Sequence, residues 1–132
     1  MTKENFFDLY KDLCSRLPYG VVCKMWFAGK PETSIVETLK FGGISDFFCH
    51  EIEVMPYLRP MSSMTEEEKD ELYTAMDWYG GIDENGNVDT NGQDKVYRET
   101  FYDYTDWLNT HHFDYRGLIE KGLALPAKEG MY

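Results

Sequence analysis

Basic residues are scarce in this chain of 132 residues: thirteen Lys and Arg stand against twenty-four Asp and Glu, a net charge of −11. The deficit sits in one segment. Residues 1–65 carry eight acids and seven bases, and residues 107–132 carry three of each. Residues 66–106 carry thirteen acids and only Lys69, Lys95 and Arg98. Such a segment repels nucleic-acid phosphate and anionic lipid, so no direct nucleic-acid or membrane partner is expected through it. Long apolar runs are also missing, which excludes a membrane-spanning helix of the usual length. The opening Met-Thr-Lys-Glu-Asn-Phe-Phe-Asp has acids inside its apolar pattern, unlike a signal or transit peptide. Cysteine is sparse and odd in number. Cys14, Cys23 and Cys49 are irregularly spaced and read as reduced thiols of a cytoplasmic protein, most of them core fillers.

Aromatic residues are plentiful, with ten Tyr, eight Phe and three Trp. That excludes a disordered chain, which lacks the apolar area to offset chain entropy. The length suits a single domain spanning residues 1–132. Phe6, Leu9, Tyr10, Leu13 and Leu17 predict an amphipathic helix over 3–17, stopped by Leu17-Pro18-Tyr19-Gly20. The period then changes to two. Strands are expected over Val21–Phe27, Ser34–Phe41 and Phe47–Val54, joined by turns at Ala28–Glu32 and Gly42-Gly43. Pro56–Pro60 is an extended connector, because two prolines bracket it. Thr65-Glu66-Glu67-Glu68 has the form of a capping box opening a second helix that reaches about Tyr79. Gly80-Gly81 stops that helix. A third stripe runs through Val96, Thr100, Phe101, Tyr104, Trp107 and Leu108. Asp114 is placed to cap a short last helix carrying Leu118 and Ile119. The expected fold is α+β: an N-terminal helix, a three-stranded antiparallel meander, then three C-terminal helices covering one sheet face. The segment 125–132 reads as a flexible tail.

Chemistry-bearing patterns are few. The acidic Gly/Asn-rich loop 80–95 places oxygens at Asp83, Asn85, Asn87, Asp89 and Asn91, with Asp94 at the twelfth position of a calcium loop. In that register Val88 occupies the position that needs Gly, and the closing residue is Asp rather than Glu. Starting at Asn87 puts Gly92 at the turn but Arg98 at the closing position. Calcium is the one cofactor the pattern suggests; a solvated inter-helix loop explains the same residues. His111-His112 beside Asp114, together with Cys49-His50, supply zinc-type donors without zinc-type spacing. The same five residues, Cys49, His50, His111, His112 and Asp114, are what an enzyme would have to bring together. No Gly-x-Ser-x-Gly or phosphate loop is present. Tyr57, Arg59, Tyr115 and Arg116 combine aromatic and guanidinium groups. That is the composition of an interface hot spot, and equally of an internal staple in which Arg59 or Arg116 pairs with Asp106 or Asp114.

Three stretches carry a resemblance: "FFDLYKDLCSRLPYGVVCK" at 6–24, "PYLRPMSSMTEEEKDE" at 56–71 and "DWLNTHHFDYRGLIEKGLALPAKEGMY" at 106–132. They resemble a group of small uncharacterised proteins encoded by bacteriophages and prophage-like elements of gut anaerobic bacteria. Residues 76–105 do not share the likeness. The resemblance brings no known chemistry and no catalytic residue. It implies a phage or mobile-element accessory protein in the host cytoplasm, and with no catalytic constellation the expectation is a non-enzymatic module that binds a host or phage protein. A homodimer through an exposed aromatic patch is a second partner expectation. The sharper alternative is an acidic mimic of DNA, with Glu66, Glu67, Asp70, Asp103 and Asp106 imitating phosphates before a basic host groove.

Overall fold

The computed structural model describes residues 1–75 and 97–132. Helix α1, Lys3–Arg16, begins where Thr2 accepts a 3.1 Å hydrogen bond from the Asn5 amide. It ends in a 3-10 turn, Leu17–Tyr19, followed by Gly20 at φ +72°. Strands β1, Val22–Phe27, and β2, Lys30–Thr38, form an antiparallel hairpin about Ala28-Gly29. Helix α2, Phe41–Phe48, leads to β3, Ile52–Leu58. Helix α3, Glu66–Ala75, and helix α4, Tyr97–Thr110, follow, and Leu125–Pro126 makes the short strand β4. The sheet order is β2-β1-β3-β4, with β3 and β4 parallel.

The α+β class holds, but the meander does not. Strand β1 is central, pairing antiparallel with both β2 and β3. The chain therefore crosses from one side of β1 to the other through α2. The residues expected to start a third strand at Phe47 instead finish this helix. Its stripe is Phe41, Ile44, Phe47 and Phe48, and Ile44 and Phe47 are buried. The Gly42-Gly43 pair, which reads as a turn, lies inside it. A Cβ at Gly43 would stand 3.2 Å from Leu39 Cδ1, so glycine there lets the helix approach the end of β2.

The main core joins Leu9 and Leu13 of α1, Cys23 and Met25 of β1, Ile44 and Phe47 of α2, and Val54 and Leu58 of β3. Helices α1 and α2 thus supply the cover expected of the C-terminal helices. Helices α3 and α4, with the residues flanking them, build a second cluster from Met64, Leu72, Trp107, Leu108 and Phe113. Residues 114–122 form turns rather than a third C-terminal helix, although Gly122, at φ +74°, does stop them. The segment expected as a flexible tail is docked: Leu125 and Pro126 pair with Tyr57 and Leu58. The Tyr132 hydroxyl donates to Tyr57 O at 2.7 Å and accepts from the Val22 amide at 2.9 Å.

Both α2 and α4 end in the same way. The His50 amide bonds Phe47 O and the Glu51 amide bonds Asp46 O. At α4, the His112 amide bonds Asn109 O and the Phe113 amide bonds Leu108 O. This is the Schellman pattern, with histidine at the left-handed position where glycine is usual. His50 has φ +61° and His112 φ +63°.

Candidate interaction surface

The most buried polar feature is a staple that the sequence indicates only in part. Asp12 and Arg16 are both fully buried, and Arg16 Nε donates to Asp12 Oδ2 at 2.7 Å. Arg16 Nη2 donates to Phe113 O at 2.7 Å. Arg116 Nε reaches Asp12 Oδ1 at 3.2 Å. Both guanidinium groups lie near the Tyr115 ring, 5.0 Å and 5.2 Å from its centroid. The Tyr115 hydroxyl donates to Asn109 Oδ1. Arg116 therefore pairs with Asp12, not with Asp106 or Asp114. Asp114 instead accepts from the Leu118 and Ile119 amides, where it organises the turns after α4. Asp106 is exposed and accepts from the Tyr19 hydroxyl at 3.1 Å. Tyr57 is buried, with Lys128 over its ring. The aromatic and guanidinium residues singled out for a partner thus all make contacts within the molecule, Tyr57 buried and Arg59, Tyr115 and Arg116 half-buried.

Arg59 forms a second staple. Its two terminal nitrogens donate to the two oxygens of Glu68 at 2.7 and 2.6 Å, and its guanidinium lies over the Phe113 ring. Glu68 also accepts from the Thr65 amide, and Thr65 Oγ1 accepts from the Glu68 amide, which completes the capping box. One carboxylate thus fastens the connector to the start of α3. The Arg59 hydrogen bonds hold the Glu68 carboxyl down at about 2. A group depressed in this way stabilises the fold above its unfolded pKa, about 4.3, and loses that contribution as pH falls toward about 2. Replacing Glu68 with Gln should lower stability by about 1–2 kcal/mol at neutral pH, with the gap to wild type closing in acid. Urea unfolding of both proteins at pH 7 and pH 3 checks this, and an equal gap at the two pH values would count against the staple.

The five residues an enzyme or zinc site would need fall in two places. Cys49 and His50 follow α2, where the His50 ring lies 4.8 Å from Phe6. His111 and His112 follow α4. His111 stacks on Trp107 at 3.9 Å, its Nδ1 2.9 Å from Trp107 O. His112 stacks on Tyr132 at 3.6 Å. Burial, followed by the nearby Arg16, His111 and Arg59 charges, lowers the His112 pKa to about 4. Its Nδ1 is buried without a hydrogen-bond partner. The thiols do not match the expectation that most fill the core: only Cys23 is buried, where burial pushes it up to about 12, while Cys14 and Cys49 are exposed and free. Among the described residues no group of three or more His, Cys, Asp or Glu side chains could hold a metal. The calcium-loop reading of Asp83, Asn85, Asn87, Asp89 and Asp94 lies outside the described residues.

Of the acidic-face residues, Glu66, Glu67 and Asp70 are exposed on α3, with Lys69 3.3 Å from Glu66. The Asp103 side chain lies outside the described residues. No helix among the described residues is long and apolar enough to cross a membrane.

Two concavities lie among the described residues. One, about 510 Å³, lies beside His111, His112, Arg59 and Tyr132. The other, about 580 Å³, is a groove between the start of α1 and the end of α2, walled by Phe6, Phe7, Phe47, Phe48, His50 and Ile52. Phe6 is its hub, stacked on Phe47 at 4.9 Å and tilted against Phe48 at 6.4 Å. Phe48 is 49% and Phe7 40% exposed, and Met1 beside them 67%. Sequence reading missed this site because Phe47-Phe48 looked like strand. The signal that finds it is the spacing Phe41, Ile44 and Phe48 on one helical stripe.

Comparison with protein-family models, with curated proteins and with solved structures finds no match.

Proposed function

We propose that this chain is a protein-binding module and that the aromatic groove is its binding site. The observation that carries the reading is the exposure of Phe7, Phe48 and Met1 on one rim, around a floor of stacked rings. Exposed clustered apolar surface beside a concavity marks interaction sites more often than ordinary surface. The polar groups elsewhere support it in a second way. Arg59, Arg116, Asp12 and Asp114 each already make hydrogen bonds within the fold. Taken with the resemblance to phage-encoded proteins, the partner is a host or phage protein in the bacterial cytoplasm.

The test is capture from nuclease-treated bacterial lysate by wild-type protein and by a variant carrying Phe7→Ser and Phe48→Ser. A specific protein retained by the first and lost by the second is the expected result. Equal retention would move the site elsewhere, and no retention would remove the reading.

The exposed carboxylates Glu66, Glu67 and Asp70 on α3 favour a second reading, a DNA-mimicking acidic face. It expects a nucleic-acid-binding partner that is lost as salt rises and when those three residues are changed to Gln or Asn, while the groove variant keeps it.

A further inference from the structure

The segment after β4 is held at few points. Its backbone pairing ends at the Ala127 amide, which donates to Leu58 O at 2.7 Å. Lys128, Glu129 and Gly130 are exposed and Met131 is half-buried. Lys128 lies over the Tyr57 ring at 5.6 Å. The rest of the attachment is Tyr132, through its stack on His112 and its hydroxyl. Segments with so little burial open at lower cost than the core they lie on.

The place the hydroxyl occupies belongs to the sheet. In β1 and β3, Cys23 stands opposite Pro56 and Lys24 opposite Met55, so Val22 comes next to Tyr57. The Ala28 amide bonds Glu51 O in the same register. Bonded pairs alternate along an antiparallel ladder, so Val22 and Tyr57 are due to bond each other. Instead the Val22 amide donates to the Tyr132 hydroxyl, which donates to Tyr57 O. The hydroxyl is a wedge in the last rung. With the wedge withdrawn, the Val22 amide is free to donate to Tyr57 O, and undocking strands neither group.

The other half of the attachment answers to protons. Charged and titratable groups approach His112 from every side: Arg16 of α1, Arg59 after β3, and His111 beside it. Lys128, Glu129 and Tyr132, the last residue with its terminal carboxylate, share the cleft from the strap side. Asp12 pairs with Arg16, Glu68 with Arg59, and Glu71 stands 3.6 Å from His111. His112 Nδ1 is buried without a partner, so a proton there has no acceptor in the docked state. A cation on the Tyr132 face gains from the ring, but burial and the neighbouring cations outweigh that gain, and the docked ring resists its proton.

We propose that residues 128–132 form a pH-operated strap: protonation of His112 undocks Tyr132, and the β1–β3 ladder closes by one pair behind it. Above about pH 6.5 neither state holds the proton and the strap is docked. As pH falls toward about 4 the undocked ring takes the proton first, and the open population grows. The strap works whether or not the aromatic groove binds a partner.

The experiment follows release of Tyr132 and Met131 from the folded full chain by a carboxypeptidase at pH 7 and pH 4.5. Each rate is divided by that for a free peptide of residues 123–132, which cancels the enzyme's own pH dependence. Cleavage then reports the open population. For wild type the normalised rate should rise about tenfold or more at pH 4.5. His112→Asn, which tolerates the left-handed backbone, should start higher, having lost the stack, and stay flat. Tyr132→Phe should also start higher, having lost the wedge, yet keep the rise. In wild type the His112 ring resonances should titrate with the same midpoint as the release. A flat wild-type rate, an equal rise in His112→Asn, or a separate midpoint for the ring would overturn the proposal. So would a rise that coincides with loss of the far-ultraviolet circular dichroism, because the whole chain would then be unfolding.

Discussion

Replacing Asp12 with Ala should destabilise the protein by about 3–5 kcal/mol, because a buried charge deprived of its partner is left uncompensated in a poorly solvating interior. Two guanidinium groups depend on this one carboxylate, Arg16 at 2.7 Å and Arg116 at 3.2 Å. Arg116 is about a third exposed and can turn to water, but Arg16 is fully buried. A loss of that size is a large share of the stability of a small domain, about 5–15 kcal/mol. Arg16→Met alone should also destabilise, leaving Asp12 with the distant half of its pairing and Phe113 O without its donor. The double variant Asp12→Leu/Arg16→Met removes both buried charges and fills the space with apolar atoms. It should be more stable than Asp12→Ala alone, since replacing a buried pair by hydrophobic side chains is often tolerated. Urea denaturation of wild type, Asp12→Leu, Arg16→Met and the double variant measures the coupling, with Asp12→Ala beside them. Strictly additive losses, or a loss below about 1 kcal/mol for Asp12→Ala, would show that the pair is not held as described.

The second large effect is pH dependence at His112. Its pKa is lowered to about 4, so the folded protein keeps the ring neutral where the unfolded chain would protonate it. Above about pH 6.5 both states are neutral and the stability is complete. As pH falls toward 4 the unfolded state binds the proton first, so stability declines through that window and levels off below it. The full shift corresponds to about 3 kcal/mol, and screening at the cleft side of the ring brings the expectation to about 1–2 kcal/mol. His112→Asn tolerates the left-handed backbone and removes the titration. It loses the stack on Tyr132 as well, so the readout is the slope of stability against pH, not its level. Wild type should lose stability between pH 6.5 and 4.5 faster than His112→Asn. Parallel slopes would mean that the ring is not shielded as its surroundings indicate. The Glu68 contribution begins to fall only below about pH 4.3, which keeps the two effects apart.

Local rules carried much of the fold. Helix α1, the β1–β2 hairpin and the capping box at Thr65 are legible because each is written in neighbouring residues: a stripe, an alternation, a reciprocal pair. Helix α2 is not, because eight residues with two glycines look like a turn, and the alternation of Phe48, His50, Ile52 and Val54 runs across the helix end. Nor is the docking of 125–132 legible. That segment has no period, and it is fixed by backbone pairing with β3 and by one hydroxyl. The staple was legible in kind but not in partner. Leu9, Asp12, Leu13 and Arg16 occupy one buried helical stripe. Charged residues at helical spacing are ordinarily solvated, so the two charges on that stripe pass for an outer face until Phe113 and Arg116 arrive from the far end of the sequence. The groove failed for a related reason: α1 and α2 each show half of it.

That same staple has a bearing on the order in which the molecule is assembled. Asp12 and Arg16 can meet as soon as the first helix winds, since they are four residues apart. Their permanent shelter comes from residues 97 and 104 positions later. Bringing such distant points together carries a closure entropy of about 4 kcal/mol for a flexible chain of that length. Until it is overcome, the early pair stands hydrated on a helix whose apolar neighbours are already seeking the sheet. The search for the fold is therefore a matter of sequence separation as much as of hydrophobicity. The charges at its centre are neighbours in sequence, while the residues that close over them come from the far end of the chain.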